Sequence, residues 1–115
     1  MANRMLSVVR TQFEAWHHWA DAPEEQKYLR DSHRHIFHVE MAVVQSHNDR
    51  DVEYHALKLN LDTMLGMRYQ RHLYERSCEM VAEEVADWGK VHGYDVAYVK
   101  IFEDGENGAH LICLP

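Results

Sequence analysis

Residues 33 to 45 constrain the fold more than any other stretch, because their pattern alternates along its whole length. His33, His35, Phe37, Val39, Met41 and Val43 take one face, and Arg34, Ile36, His38, Glu40, Ala42 and Val44 take the other. Successive side chains of a strand leave opposite sides of a sheet, so a period of two gathers each set together. The β-branched and aromatic content favours the same conformation. The segment predicts a long strand whose apolar face begins with two histidines.

The flanking segments supply partners for it. Residues 5 to 19 alternate less regularly, with Met5, Ser7, Val9, Thr11, Phe13, Ala15 and His17 on one face of a first strand. Residues 21 to 30 are polar, with Pro23 followed by Glu24 and Glu25, and predict an excursion with a helical turn. After a polar break at Ser46 to Arg50, Tyr54, Leu57, Leu61, Met64 and Leu65 recur at helical steps from Asp51 onward. Gly66 is expected to weaken or end that helix. Ser77 is a good N-cap for a second helix, with Glu79 in its first turn and Val81, Val85 and Trp88 as its buried stripe. Gly89 or Gly93 would close it.

Residues 95 to 103 and 109 to 114 alternate as strands. Asp104-Gly105 and Asn107-Gly108 between them are hairpin turn signals. The order is ββααββ: an α+β fold with a four-stranded antiparallel sheet and two helices on one face. With no repeat or linker visible, residues 1–115 are expected to form a single domain.

Composition narrows the functional classes. The formal net charge is −7 and no Lys/Arg cluster occurs, which argues against a nucleic-acid surface. No apolar run approaches the ~20 residues that span a bilayer, and Arg4 and Arg10 interrupt the N-terminal segment. No membrane segment or secretory leader is expected, and a cytoplasmic location is. Cys78 and Cys113 form no metal spacing and read as reduced thiols. The excess is in histidine, of which the chain has ten. That is a reason to look for metal ligands or proton-transfer groups.

His33 and His35 leave the same strand face, within reach of one ion. If the first two strands pair antiparallel, His17 near the end of the first lies beside His33 at the start of the second. Three imidazoles and an open position suit catalytic zinc, which binds histidine nitrogen at ~2.0–2.1 Å. Satisfied polar groups at a sheet corner are the alternative reading. His18 is another first ligand, but its side chain points to the other sheet face. His47, His92 and His110 lie near turns and read as solvated residues. Glu79, Glu83, Glu84 and Asp87 read as a solvated helix face.

These motifs, in this order, resemble the 6-pyruvoyl-tetrahydropterin synthase family, which includes the 6-carboxy-tetrahydropterin synthases of queuosine biosynthesis. Phe13-Glu14-Ala15-Trp16-His17 is similar to the family's F-x-A-x-H, and His33-Arg34-His35 to its H-G-H. Residues 51–58 resemble the acidic-aromatic segment before its first helix, and residues 77–82 its P-T-x-E-N-x-A. Ile101-Phe102-Glu103-Asp104 resembles its V-x-E-T strand end. The resemblance implies a T-fold and zinc on His17, His33 and His35. It also implies that Glu103 anchors a pterin ring, and that chains assemble as a trimer or hexamer covering the exposed sheet edges. A carboxylate suits an aminopyrimidine edge because it accepts two parallel N–H bonds.

The chain also departs from the family. Lys27 to Ser32 hold no cysteine where the family places its catalytic thiolate before H-G-H, and Cys78 and Cys113 fall in other elements. The L-D-H motif is not recognisable, although His72 lies in that region. His72 and Asp31 are therefore the proton-transfer candidates. The expectation is a zinc-dependent carbon–oxygen lyase of the pterin synthase type, acting on a dihydroneopterin-triphosphate-like substrate with altered chemistry. The alternatives are a non-catalytic protein of the same fold that binds a pterin or guanine-like ligand, and a purely structural oligomer.

Overall fold

A computed structural model describes residues 3–114; Met1, Ala2 and Pro115 lie outside the described residues. The first strand, β1 (Leu6–His17), leads through a 3₁₀ segment (Glu24–Arg30) into β2 (His33–Val44). Then come α1 (Tyr54–Tyr69), β3 (His72–Tyr74), α2 (Cys78–Val91), β4 (Val96–Glu103) and β5 (Asn107–Ile112). The fold is α+β, with a five-stranded sheet in the order β3-β1-β2-β4-β5. The β1–β2, β2–β4 and β4–β5 pairs are antiparallel, whereas β1 and β3 are parallel.

The extra strand corrects the expected ββααββ order and makes the sheet mixed. Gln70 and Arg71 take left-handed backbone angles (φ 47° and 67°), which turn the chain back beside the end of β1. There the Trp16 amide donates to the Arg71 carbonyl (2.9 Å), and the His18 amide to that of Tyr74 (2.8 Å). Three residues are too few to display a period of two, so pairing rather than pattern makes this strand.

The apolar faces expected from alternation enclose the core. Val9, Ala15, Phe37, Val39, Met41, Val43, Val99 and Ile101 from the sheet are buried against both helices. Helix α1 contributes Leu57, Leu61, Leu65 and Tyr69, and α2 contributes Cys78, Val81, Ala82, Val85 and Ala86. Tyr54 is exposed, because the helix begins there under a Glu53 cap that accepts from the amides of His55 and Ala56. Gly66 does not end α1. It lies where a side chain would meet nothing, and the helix runs on to a left-handed cap at Gln70.

Ser77 caps α2 by accepting from the Met80 amide (3.2 Å), and Gly93 (φ 87°) follows the helix end. The β4–β5 turn is made by residues 104–106, while Asn107 and Gly108 already belong to β5. Gly108 passes so close to β4 that a Cβ there would lie 1.9 Å from the Ile101 carbonyl oxygen. Its sequence signal therefore reports a close backbone approach instead of a turn. Among the described residues, no helix is long and apolar enough to cross a membrane.

Candidate metal centre

The β1–β2 register assembles the site at one corner of the sheet. His17 directly opposes His33, and Ala15 opposes His35. On the other side of β2, Glu103 at the end of β4 opposes Phe37. The ring centroids of His17 and His33 are 4.6 Å apart, those of His33 and His35 5.0 Å, and those of His17 and His35 5.3 Å. Phe37 forms an apolar base, with the His17 and His35 rings edge-on to it at 5.1 and 5.7 Å. One ligand atom from each of His17, His33, His35 and Glu103 lies within 4.8 Å of all the others.

The outer nitrogens show how the rings are oriented. His17 Nδ1 lies 3.0 Å from the Arg76 carbonyl oxygen, and His33 Nδ1 lies 2.8 Å from that of Asp31. His35 Nδ1 lies 2.7 Å from Asp104 Oδ2. Carbonyl and carboxylate oxygens only accept, so each Nδ1 donates and each ring is fixed with its Nε2 on the opposite side. Metal-bound histidines characteristically donate their second ring nitrogen in this way, which fixes tautomer and orientation.

Asp104 is itself held: its Oδ1 accepts from the Ile36 amide (2.9 Å), and its own amide donates to the Ile36 carbonyl (2.7 Å). The Ile36 amide and then His35 keep its carboxyl below the ordinary carboxylate range. Arg76 is held by its guanidinium, which donates to Glu84 (2.8 Å) and lies over the Tyr69 ring.

The inner side of the cluster is short of donors. His17 Nε2 is buried without a hydrogen-bond partner. It sits 3.0 Å from Glu103 Oε2, which is also 3.2 Å from His35 Nε2. That separation would suit an ion pair if His17 were protonated. Burial, however, lowers the His17 pKa below its ordinary 6.5, and the neighbouring His33 and His35 act in the same direction against Arg76 and Glu103. A neutral imidazole and a carboxylate thus present lone pairs to one another. Such an arrangement fits a bound cation, and an imidazole-rich donor set suits first-row transition metals such as zinc, copper, iron or nickel.

A cavity of about 550 Å³ opens beside the cluster, its walls including His17, His33, Arg76, Cys78, Glu103 and Asn107. A hollow of about 620 Å³ between α1 and α2 lies away from it and contains none of the four converging groups. His18 also lines the cavity beside the cluster but does not join the four converging groups.

The two proton-transfer candidates stand outside the cluster. Asp31 contributes its backbone carbonyl to His33, while His72, exposed on β3, packs against Tyr74 at 5.7 Å. Sequence reasoning set Cys78 aside because of its element, yet the capped start of α2 brings it to the cavity wall. Burial, together with the charges of Glu103 and Glu79, pushes its thiol up to about 12. Asp104 read only as a turn residue, and Arg76 carried no signal, since its contribution is a backbone oxygen. No protein-family model matches this chain, and no curated protein matches it.

Proposed function

We propose that this chain is a zinc-binding protein of the T-fold pterin synthase type, which receives a dihydropterin-like ligand in the cavity beside the metal centre. The carrying observation is the set of three imidazoles, each donating from Nδ1 to an oxygen outside the cluster, that converge with the Glu103 carboxylate so that one ligand atom of each lies within 4.8 Å of the others. His17, His33 and His35 would hold the ion. When bound, zinc would supply Lewis acidity toward substrate oxygens. The order of the motifs supports the choice of a pterin. The cavity volume falls within the ~300–1,000 Å³ typical of small-molecule sites.

Between turnover and binding, the chain's own groups favour binding. The family's thiolate has no counterpart before His33. Cys78 on the wall stays protonated at neutral pH, because its thiol is raised to about 12. A protonated thiol is a poor base and a poor nucleophile. His72 or Asp31 would have to move protons from outside the cluster. A protein that holds a pterin or guanine-like molecule over the metal without breaking a carbon–oxygen bond is the reading these features support best.

A cytoplasmic homo-oligomer belongs to the same reading, since assembly through the edge strand β5 would cover a row of unpaired backbone groups. Metal analysis of purified protein should give about one zinc per chain, as expected of a three-histidine site. His33→Ala and His35→Ala should abolish it; zinc retained by both variants would sink the ligand set. Zinc-loaded protein incubated with dihydroneopterin triphosphate should show saturable binding without triphosphate release. Catalytic release would return the lyase.

A further inference from the structure

The geometry points to a role for Glu103 that neither a ring anchor nor a polar strand end would fill: it is the fourth protein ligand, and the metal centre rests closed. This inference builds on the zinc reading above and concerns what fills the fourth position. A tetrahedral zinc ion with ligand bonds of ~2.0–2.1 Å places its ligand atoms roughly 3.3 Å from one another. Glu103 Oε2 stands 3.0 Å from His17 Nε2 and 3.2 Å from His35 Nε2, and belongs with His33 to the same four-membered group. Those are separations between ligands sharing an ion.

A carboxylate that merely lined the cavity would not need to set a single oxygen against two ring nitrogens of the same cluster. The other oxygen has an occupation of its own. Glu103 Oε1 accepts from the Asn107 side-chain amide at 3.1 Å, an outer contact of the kind that orients a ligating carboxylate. With Oε2 turned to the histidines and Oε1 to Asn107, both oxygens already have partners within the protein.

The closed arrangement changes how the site would be entered. Structural zinc sites fill all four positions with protein, whereas catalytic sites keep one for water or substrate. An oxygen ligand in the cavity would have to displace Glu103 or add as a fifth donor. Asn107, at the start of β5, would receive or release the carboxylate as that happened. The site would then admit a chelating ligand in preference to a single water molecule, and Glu103 would act as its gate.

Metal affinity and cobalt spectroscopy test this without any assay of turnover. Wild type, Glu103→Gln and Glu103→His are loaded with zinc in competition with a chromophoric chelator, then with cobalt(II) to read coordination from the visible absorption. The amide variant should bind zinc about 100-fold more weakly, at or beyond the upper end of what loss of an outer-shell partner costs. Its cobalt spectrum should change from the four-coordinate form. The histidine variant keeps a donor at that position and should recover most of the affinity, a rescue that a ring anchor would not show. Unchanged zinc affinity and an unchanged cobalt spectrum in Glu103→Gln would overturn the proposal and leave a three-histidine site. A wild-type protein that bound no zinc would overturn the metal centre itself, along with this inference.

Discussion

Two carboxylates on opposite faces of the same sheet show how the chain treats charge. Glu40 lies on the outer face, where the register puts Arg10 on one side and Lys100 on the other. Arg10 Nε approaches at 2.6 Å, Lys100 Nζ at 3.5 Å, and the Tyr98 hydroxyl donates at 2.7 Å. Although burial opposes it, the bonds from Tyr98 and Arg10 hold the Glu40 carboxyl below its ordinary 4.5. Glu103 lies on the inner face, and the side chains brought to its Oε2 are the imidazoles of His17 and His35. The first cluster carries its own cations, and the second is arranged as if one arrives from outside. A charged group near a sheet does not by itself indicate a site. Imidazoles and a carboxylate converging on one point, with no lysine or arginine among them, do.

That contrast can be broken or sharpened by experiment, beginning where the expected effect is largest. Zinc at about 1,000 times its dissociation constant should stabilise the fold by ~4 kcal/mol, which a chelator should remove. His35→Ala should erase this gain; equal melting temperatures with and without zinc in the wild type would remove the distinction between the two faces. Asp104→Asn replaces the acceptor for His35 Nδ1 and should weaken zinc binding by ~10–100-fold while leaving the ligands in place. Titrations would find unchanged affinity if Asp104 were only a turn residue.

The two faces should also separate by pH. Because the His17 pKa in the fold lies below its ordinary 6.5, the unfolded chain takes up that proton first as the pH falls. Metal-free protein should therefore lose stability as the pH drops below that value, and zinc affinity should fall in the same direction as the nitrogens protonate. Glu40 works in a lower window: its contribution is present above its ordinary 4.5 and is lost as the pH falls through the depressed value in the fold. Denaturant midpoints across this range should show two steps, and the loss of the upper one in His17→Ala would assign it. The smallest effect is expected from Glu40→Gln. With Arg10 80% exposed, the pair contributes about 1 kcal/mol or less, and zinc binding should not change.

Much of this was legible in the chain because it depends on local period. Alternation along residues 33 to 45 sorts His33, His35 and Phe37 onto the core face. Antiparallel pairing of that strand with its predecessor is enough to bring His17 beside His33. The apolar steps of both helices and the Ser77 cap are equally local. β3 was not legible, since its three residues show no period and its pairing depends on the left-handed turn at Gln70 and Arg71. Asn107-Gly108 carried a true signal with the wrong meaning: the glycine is required by the Ile101 carbonyl across the hairpin.

By itself, the sequence determined which residues share a face, and so which three histidines could meet. Periodicity is a property of a single strand or helix and needs no knowledge of its neighbours. Only the tertiary structure decided what surrounds them. The β2–β4 register places Glu103 opposite Phe37, the turn after β4 brings Asp104 to His35, and the approach to α2 delivers the Arg76 carbonyl and the Cys78 thiol. Those placements follow from pairing between strands far apart in the chain and from backbone atoms that every residue possesses. No pattern of residue types can encode them.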